Sequence, residues 1–314
     1  MPSRSKNPTA PVLVTGGAGF IGSHLVEALV LSGRRVKVAD DLSSGSKRNL
    51  TKVMERIEFH QGDVRDAALM KELVAGAETV FHMAGMSSVS QSQLDPSLCL
   101  DVNGRGTLNV MALAAEAGVR RLVYSSSSAV YGDLPGPHSE DMAPRPDSPY
   151  AAVKLLGEHL GQCYRSSGLE TVSLRFFNVY GPRQSADGAD AGVVPIFIND
   201  LLSRRSPTIY GDGRQTRDFV HVADVVRAAL LAAEIASVPD SAINVATGVS
   251  ASILQVLELL SETFGASPQP IFAPARAGDP LVSEASTKLA EETLGFKAEI
   301  ALETGLTALL AKRD

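Results

Sequence analysis

The chain lacks tryptophan and contains few aromatic residues of any kind. Aromatic side chains make up 5% of its 314 residues, and the formal net charge at pH 7 is -6. Proteins hold nucleic acid with stacking rings and clustered positive charge, and this composition provides neither. We therefore expect no nucleic-acid partner.

Cysteine is also scarce, and histidine is scattered. Cys99 and Cys163 lie far apart in the sequence, so we expect no disulfide framework, and a reducing cytoplasm is the favoured compartment. The six histidines form no ligand-spaced pair and no Cys-x-x-Cys occurs, so no metal site is predicted.

Long apolar runs are missing as well. No uninterrupted apolar stretch approaches the ~20 residues that a membrane-spanning helix needs, so no membrane partner is expected. Residues 1–10 are polar, basic and proline-bearing, which predicts a disordered tail rather than a signal peptide.

The most informative motif that the chain does contain is a glycine turn. Its spacing is Gly-x-x-Gly-x-x-Gly, and it follows an apolar strand at residues 12–14. Gly16 permits the tight turn, Gly19 allows the backbone to approach a pyrophosphate, and Gly22 allows close packing of the following helix on the sheet. A second apolar strand ends at Asp40, eighteen residues after Gly22. This arrangement predicts a dinucleotide site.

Short β-rich runs alternate with helical patterns through the first half of the chain. The alternation predicts an α/β fold, a doubly wound parallel sheet of the Rossmann type, with a smaller mixed α/β C-terminal substrate lobe. We expect the NAD-binding domain at residues 11–183, with a return of the chain from the C-terminal half, and the substrate lobe mainly at 184–314. The predicted strands are 12–14, 35–39, 57–60, 79–82, 122–125 and 171–175, and the predicted helices are 20–32, 66–75, 95–117 and 149–167.

A tyrosine and a lysine four residues apart mark the chemical centre. Tyr150 and Lys154 begin a helix that includes Pro149, so their side chains share one face. A nearby ammonium favours phenolate and lowers the tyrosine pKa towards neutrality, which makes a general base. The run from Ser125 to Gly132 places hydroxyls at the end of a predicted strand, at the edge of the sheet where the glycine turn lies.

Together these motifs resemble the extended short-chain dehydrogenase/reductase family, in its NAD-dependent epimerase/dehydratase group, and are most similar to UDP-hexose 4-epimerases. The resemblance extends from about residue 11 to the C-terminus. The motifs that carry it are Thr-Gly-Gly-Ala-Gly-Phe-Ile-Gly at 15–22, Phe-His-Met-Ala-Gly at 81–85, Asn103, Ser-Ser-Ser-Ser-Ala-Val-Tyr-Gly at 125–132, Tyr-x-x-x-Lys at 150–154, Leu-Arg-Phe-Phe-Asn-Val-Tyr-Gly-Pro-Arg at 174–183 and Arg-Asp-Phe-Val-His-Val at 217–222.

The resemblance implies a catalytic role for three side chains. Tyr150 would remove the proton of the sugar 4-hydroxyl, Lys154 would activate it and bind the nicotinamide ribose, and Ser127 would relay the proton. Hydride would pass from sugar C4 to NAD and return to the opposite face after the 4-keto sugar has turned over, so the hydroxyl is inverted without net oxidation.

The resemblance also implies the set of cofactor-binding residues. Asp40 would accept hydrogen bonds from the adenosine ribose, and Asp41 beside it would repel a 2′-phosphate, which favours NAD over NADP. Asp63 would contact adenine, although a helix N-cap is an equally good interpretation of this aspartate. The full set is Gly16, Gly19, Phe20, Ile21, Gly22, Asp40, Asp41, Leu42, Ser43, Asp63, Val64, Met83, Ala84, Gly85, Asn103, Ser125, Tyr150, Lys154 and Phe177.

The substrate is expected to be a UDP-sugar. Arginine suits its diphosphate because the planar guanidinium binds phosphate oxygens in pairs, although a surface salt bridge is the plain alternative for each arginine. The implied substrate-binding residues are Ser87, Ser127, Ser128, Tyr150, Asn178, Val193, Arg217, Arg276 and Asp279.

The identity of the sugar stays open between related donors. A run of small hydroxyl residues begins at Ser87, and the loop after Arg183 carries Asp187 and Asp190 without a further cation, which favours a neutral hexose over a uronate. Arg183 or hydroxyl donors could still serve a carboxylate. Ser283 falls near the position that limits bulk at sugar C2, and its small side chain would leave room for an N-acetyl group.

Other functions remain as alternatives. A sugar-nucleotide dehydratase would carry an Asp-Glu pair where this chain has Ser128-Ala129. A non-catalytic NAD sensor would be marked by loss of Tyr150 or Lys154, and both are present. The family resemblance implies a homodimer formed by two helices of each subunit, and the Ala- and Leu-rich helices at 95–117 and 149–167 provide candidate surfaces. His82 and His221 are expected to pack beside strands rather than act in catalysis.

Overall fold

The computed structural model describes residues 10–186, 191–275 and 280–311. The predicted tail at residues 1–10 lies outside this part of the chain except for its last residue. The strands of the described residues are β1 (Val12–Thr15), β2 (Val36–Asp40), β3 (Ile57–Gln61), β4 (Thr79–His82), β5 (Arg121–Ser127), β6 (Glu170–Phe176), β7 (Asn178–Tyr180), β8 (Thr208–Tyr210), β9 (Thr216–His221), β10 (Ile243–Val245), β11 (Ser250–Ser252), β12 (Ile271–Ala273) and β13 (Val282–Ser283).

Helices cover both faces of the central sheet. None of the helices in the described ranges is long and apolar enough to cross a membrane. The α-helices are α1 (Phe20–Leu31), α2 (Ala67–Val74), α3 (Val89–Leu94), α4 (Pro96–Cys99), α5 (Gly106–Glu116), α6 (Pro149–Tyr164), α7 (Val193–Leu202), α8 (Val222–Glu234), α9 (Ile253–Phe264), α10 (Lys288–Leu294) and α11 (Leu302–Ala311).

The central sheet has seven parallel strands in the order β10-β6-β5-β4-β1-β2-β3. The chain builds outward from β1 to β3, then crosses back to β4 and builds the other way, so the order reverses between β1 and β4. All six predicted strands lie in this sheet, and the predicted doubly wound fold is confirmed. Such a reversal leaves a crevice at the carboxyl ends of the strands, where ligands of these folds bind.

Successive side chains of β1 belong to two different layers of the apolar core. Val12 and Val14 pack with α1 and α8 on one face of the sheet, and Leu13 packs with α2 and α5 on the other. Side chains of successive strand residues point to opposite faces. A run of apolar residues without polar alternation therefore fits a strand that is buried on both sides.

A second apolar core lies outside the central sheet. It joins α7, α9 and α11 to β8 and β9, beside a small sheet in which β9 pairs with β7, β11 and β13. In chain order, α8 and β10 come between β9 and β11 of this second group. They belong to the central sheet, where β10 pairs with β6. The division of the chain at residue 183 stays a prediction.

The long helix predicted at 95–117 is interrupted. It consists of α4, a π-helical segment from Leu100 to Arg105, and α5. The wider π-turns coincide with Asn103, whose buried side chain bonds the backbone of Met86 twice, at 2.7 and 2.9 Å. A π-bulge of this kind often marks a functional site, and helical periodicity alone did not reveal it.

Two glycines allow helix α6 to approach the sheet closely. A Cβ on Gly157 would approach the Tyr124 hydroxyl oxygen to 2.3 Å, and a Cβ on Gly161 would approach Thr171 Cγ2 to 2.6 Å. Between these glycines, Glu158 is buried and accepts hydrogen bonds from Arg175 Nε at 3.0 Å and Nη2 at 2.8 Å. This pair is one of the links between α6 and the sheet.

We predict that Glu158→Ala destabilises the protein by about 3–5 kcal/mol, because it leaves the buried Arg175 guanidinium without its counter-charge. Urea unfolding measures the change. The matched control is Glu292→Ala, which breaks an exposed 3.8 Å pair with Lys288 and should cost no more than about 0.5 kcal/mol. Equal losses in the two variants would contradict the prediction.

Candidate functional site

A cleft of about 1250 Å³ opens along the carboxyl ends of β1, β2, β3 and β4, and α7, β8 and β9 contribute to its lining. It brings together most of the predicted site residues. Those predicted for the cofactor that line it are Gly16, Gly19, Phe20, Ile21, Gly22, Asp40, Asp41, Ser43, Asp63, Val64, Met83, Ala84, Gly85 and Phe177, and those predicted for the substrate are Ser87, Asn178, Val193 and Arg217. Beside the cleft, and not among its lining residues, lie Leu42, Asn103, Ser125, Ser127, Ser128, Tyr150 and Lys154.

The glycine turn has the shape that a pyrophosphate site needs. Gly16 has φ +68°, and a Cβ there would lie 2.6 Å from the amide nitrogen of Ala84. A Cβ on Gly22 would lie 2.1 Å from the carbonyl oxygen of Gly16. These approaches let α1 begin directly at the strand end, so that its N-terminal turn faces the cleft.

Asp40 is fixed at the end of β2. It is 6% exposed; its Oδ2 accepts from the Ala18 amide and its Oδ1 from the Leu42 amide, both at 2.8 Å. Burial raises the pKa of this carboxyl above its usual range. The Gly19 amide also bonds this carboxylate, and a carboxylate has acceptor sites for about four hydrogen bonds, which leaves one for a ligand hydroxyl. Gly45 keeps this space open, because a Cβ there would lie 2.7 Å from Asp40 Oδ1.

The part of the cleft wall formed by the residues that follow β4 is held in place by the π-helical segment. The Asn103 side chain bonds Met86, and a Cβ on Gly85, whose φ is +157°, would approach Asn103 Oδ1 to 2.8 Å. The same position is 3.7 Å from Lys154 Nζ. Gly85 therefore lies where the cleft meets the predicted catalytic pair.

Tyr150 and Lys154 are brought together as the helical spacing predicts. Lys154 Nζ lies 5.7 Å from the centroid of the Tyr150 ring and donates to the carbonyl oxygen of Ser125 at 2.7 Å. Burial lowers the pKa of Lys154 to about 8. Tyr150 is 9% exposed and packs with Met86, which lines the cleft. The ammonium thus lies over the faces of two rings, 5.7 Å from the Tyr150 centroid and 5.3 Å from that of Tyr124, and a cation near a phenol favours phenolate.

The predicted serines Ser127 and Ser128 lie at the end of β5, the strand whose Ser125 carbonyl oxygen accepts from Lys154. Ser127 is the last residue of β5, and its Oγ accepts from the Ala129 amide at 3.2 Å. A hydroxyl that accepts one hydrogen bond keeps its own proton for another partner. Ser128 begins the short 3₁₀ turn that follows.

Arg217, a predicted substrate-binding residue, is held by contacts with its own strand and with two neighbouring strands. It is 8% exposed, donates to the Thr216 carbonyl oxygen at 2.7 Å, and pairs with Ala251 and Ser283 of the neighbouring strands. Ser283 is buried. The predicted residues Arg276 and Asp279 lie outside the described residues, as do Asp187 and Asp190.

Arg183, kept in the sequence analysis as an alternative partner for a sugar carboxylate, is bonded to α1. Its guanidinium donates to Glu27 and, at 3.2 Å, to Ser23 Oγ, both on α1. The ion pair outweighs the effect of burial and lowers the pKa of Glu27. Arg183 therefore already has a carboxylate partner within the protein.

Two further expectations can be compared with the geometry. The N-cap interpretation of Asp63 is wrong: Asp66 caps α2 by accepting from two amides, and Asp63 pairs with Arg65. His82 is buried between Thr15 Oγ1 and Thr107 Oγ1, at 2.7 and 3.0 Å, and burial lowers its pKa to about 3. His221 caps α8 by accepting from the Ala223 amide.

Several cleft residues were not identified from the sequence. Asn49 anchors the loop after β2 by donating to the Ala18 carbonyl oxygen at 2.8 Å. Gln215 bonds Tyr210 across the Gly-Asp-Gly-Arg segment at 211–214, with its side-chain amide donating to the Tyr210 carbonyl oxygen at 2.7 Å. The lining residues that were missed include Asn49, Met86, Gln91, Gln184, Thr208, Ile209, Tyr210 and Gln215. In the described ranges, no group of three His, Cys, Asp or Glu residues could hold a metal ion.

Comparison with known proteins identifies the family. Residues 12–246 match the model of the NAD dependent epimerase/dehydratase family. The chain belongs to this family. The predicted family, its NAD cofactor and the prediction of an NAD-dependent enzyme are thereby confirmed.

Individual relatives agree over nearly the whole chain. The sequence is 42% identical to a UDP-glucose 4-epimerase of Mycolicibacterium smegmatis, covering 94% of this chain and 95% of that protein. The fold is similar to the UDP-glucose 4-epimerase of Thermotoga maritima, solved with UDP-glucose (TM-score 0.91, 36% identity, 96% of this chain and 97% of that one). It is also similar to a UDP-N-acetylglucosamine 4-epimerase of Methanobrevibacter ruminantium (TM-score 0.92, 35% identity, 97% and 98% covered).

The residues present fit the cofactor of the family. A Cβ on Gly16 or Gly22 would fill the turn at α1, and the fixed carboxylate of Asp40 lies at the end of the next strand. Glycine turn, helix N-terminus and acidic residue are the three elements that hold a dinucleotide in folds of this type.

We predict that Gly16→Ala weakens NAD binding at least about tenfold, because its Cβ would press on the Ala84 backbone and displace the turn. Isothermal titration of cofactor-free protein measures the affinity. Gly33→Ala is the matched control: Gly33 has φ +81° with no atom within 4 Å of its added Cβ. Gly33→Ala imposes similar backbone strain, but its Cβ presses on no other atom. We therefore expect its NAD affinity to be unchanged. Equal weakening in both variants would refute the role assigned to the turn.

Proposed function

We propose that the protein is an NAD-dependent 4-epimerase that inverts C4 of a UDP-hexose, either the UDP-glucose/UDP-galactose pair or its N-acetylated counterpart. The observation that carries the proposal is the buried Lys154 ammonium, held 2.7 Å from the Ser125 carbonyl oxygen and 5.7 Å from the Tyr150 ring centroid. This pair adjoins the wall of a cleft whose other end has the shape of a dinucleotide site.

Each catalytic side chain has a proton-transfer task that its position supports. Tyr150, as phenolate beside the Lys154 ammonium, takes the proton of the sugar 4-hydroxyl, and Ser127 lies at the adjacent strand end to relay it. Bound NAD supplies the reversible hydride acceptor that no side chain provides. After the sugar has presented its other face, Tyr150 returns the proton to the C4 oxygen.

The nucleotide end of the substrate is assigned to the second group of elements. Arg217 lines the cleft and is nearly buried, which strengthens its attraction to a diphosphate. Asn178 and Val193 lie on the same wall, and the family resemblance adds Arg276 and Asp279. Asp40 and Asp41, at the other end, favour NAD over NADP.

The local charges support a neutral hexose. The Arg183 guanidinium is paired with Glu27 on α1, so its charge is already compensated before a sugar enters. Ser87 contributes a small hydroxyl residue to the lining. Ser283 is small and pairs in register with Arg217, which supports tolerance of an N-acetyl group at C2. A UDP-glucuronate epimerase would need a further free cation near C6.

The competing functions have weaker support. A dehydratase of this family needs an acid and a base near C5 and C6, and Ser128-Ala129 follow β5 where dehydratases carry acidic residues. A non-catalytic NAD sensor would not require the close Lys154–Tyr150 geometry. Both alternatives predict assay products different from those of an epimerase.

The function is tested by separate incubation of the protein with UDP-glucose, UDP-N-acetylglucosamine and UDP-glucuronate, with products identified by chromatography and proton NMR. We expect C4-inverted product from UDP-glucose, with loss of at least about a hundredfold in Tyr150→Phe, because the base is removed. Water loss or a persistent 4-keto sugar would assign the protein to the dehydratases. Inert protein with bound NAD would support the sensor.

We also propose a cytoplasmic homodimer. Cys99 and Cys163 are both free thiols, which suits a reducing compartment. Leu100, Leu108 and Leu156 are 54%, 42% and 40% exposed, and the position of a Cβ on Gly104 lies near both Leu100 and Leu156. These side chains form an apolar patch on neighbouring helices, as a helix-pairing interface needs.

The oligomeric state is tested by light scattering. Leu156→Glu places a charge in the apolar patch and should shift the protein to monomers, because an unpaired charge in an apolar interface is costly. The control is Leu202→Glu on α7, where the leucine is 51% exposed; it should leave the dimer intact. A monomeric parent protein would refute the proposal.

A further inference from the structure

The backbone of Tyr150 is held by a residue from another part of the chain. Tyr150 lies in the first turn of α6, where amide groups have no acceptor within the helix. The N-cap Ser148 accepts from the Ala151 amide at 3.2 Å. The Tyr150 amide instead donates to Ser92 Oγ at 3.1 Å.

Ser92 is well placed to fix this amide. It is fully buried in α3, and its own hydroxyl proton goes to the Val89 carbonyl oxygen at 2.6 Å. Because that bond orients the hydroxyl, its lone pair faces the Tyr150 amide. A buried hydroxyl that both donates and accepts has little freedom to turn.

Helix α3 is itself fixed to the wall of the cleft. Ser88 caps it by accepting from the Gln91 amide at 3.0 Å, and Gln91 lines the cleft. Two residues before Ser88, Met86 is held through its amide and carbonyl by Asn103. A short, hydrogen-bonded stretch of chain therefore runs from the cleft wall to the amide of Tyr150.

We infer that Ser92 is a positioning residue for the catalytic tyrosine: its hydroxyl sets where the first turn of α6 stands relative to the cleft and to Lys154. The inference rests on the proposed role of Tyr150 as the base. Without the bond, the Tyr150 amide must find water or shift, and the phenol moves with its backbone. Small displacements of a catalytic group lower the rate strongly while substrate binding elsewhere is unchanged.

The test compares two serine-to-alanine substitutions, each of which removes the acceptor of one amide in the first turn of α6. Ser92→Ala removes the acceptor of the Tyr150 amide, and Ser148→Ala removes the acceptor of the next amide. Both should lower the thermal midpoint by a few degrees. Only Ser92→Ala should lower kcat, by about tenfold, while KM stays within about twofold of the parent value. Only this variant should also move the acid limb of the pH–rate profile up by about half a pH unit, because the phenol moves away from the ammonium.

A readout without turnover accompanies the kinetics. The near-ultraviolet phenolate absorbance of each variant is titrated with pH, and the curve of its Tyr150→Phe counterpart is subtracted. The difference isolates Tyr150, and Ser92→Ala should shift it in the same direction as the acid limb. Ser148→Ala should leave it unchanged.

The outcomes separate the two hypotheses. If Tyr150→Phe is inert while Ser92→Ala keeps the parent kcat and acid limb, the positioning role is refuted and the proposed function stands. Equal losses of kcat in Ser92→Ala and Ser148→Ala also refute it, because they indicate general loosening of the helix. An active Tyr150→Phe would refute the proposed function and, with it, the role of Ser92.

Discussion

The site depends on the burial of one ammonium group. Lys154 is 6% exposed, and a buried charge must be given hydrogen-bond acceptors or lose its proton. The Ser125 carbonyl oxygen at the end of β5 provides one, which requires α6 to lie directly against the sheet. Gly157 and Gly161 allow this approach because they present no side chain to Tyr124 and Thr171. Tyr150, the proposed base, lies one turn before Lys154 and is thereby brought beside the cleft.

Around this contact, α6 is attached at three successive turns. The Tyr150 backbone amide bonds Ser92, the Lys154 side chain bonds Ser125, and the Glu158 carboxylate accepts from both Ser126 and Arg175. These bonds come from three separate segments of chain. A helix held in this way keeps its register along the sheet, and proton transfer needs that precision more than it needs binding strength.

The two walls of the cleft come from different parts of the structure. Its cofactor wall is built from strand ends, where tight turns and glycines allow backbone to approach a ligand. Its other wall comes from α7, β8 and β9, which have a separate apolar core. Hydrogen bonds of the buried Asp218 carboxylate, which accepts from the Thr247 and Gly248 amides at 2.8 Å, fix β9 and so the position of the neighbouring Arg217. A cleft with one wall for the dinucleotide and another for the nucleotide sugar suits the proposed reaction.

The sequence by itself determined the parts of the protein that follow from local spacing. Short apolar runs located six of the seven strands of the central sheet, the glycine triplet located the turn at α1, and the four-residue step placed Tyr150 and Lys154 on one face. Only the tertiary structure decided the partners of these groups: Ser92 for the Tyr150 amide, Asn49 for the loop after β2, and Glu27 for Arg183. It also decided that Asn103 interrupts a helix and that Asp66, not Asp63, caps α2. Local periodicity constrains the conformation of neighbouring residues, whereas a hydrogen bond or ion pair between distant segments depends on how the whole chain packs.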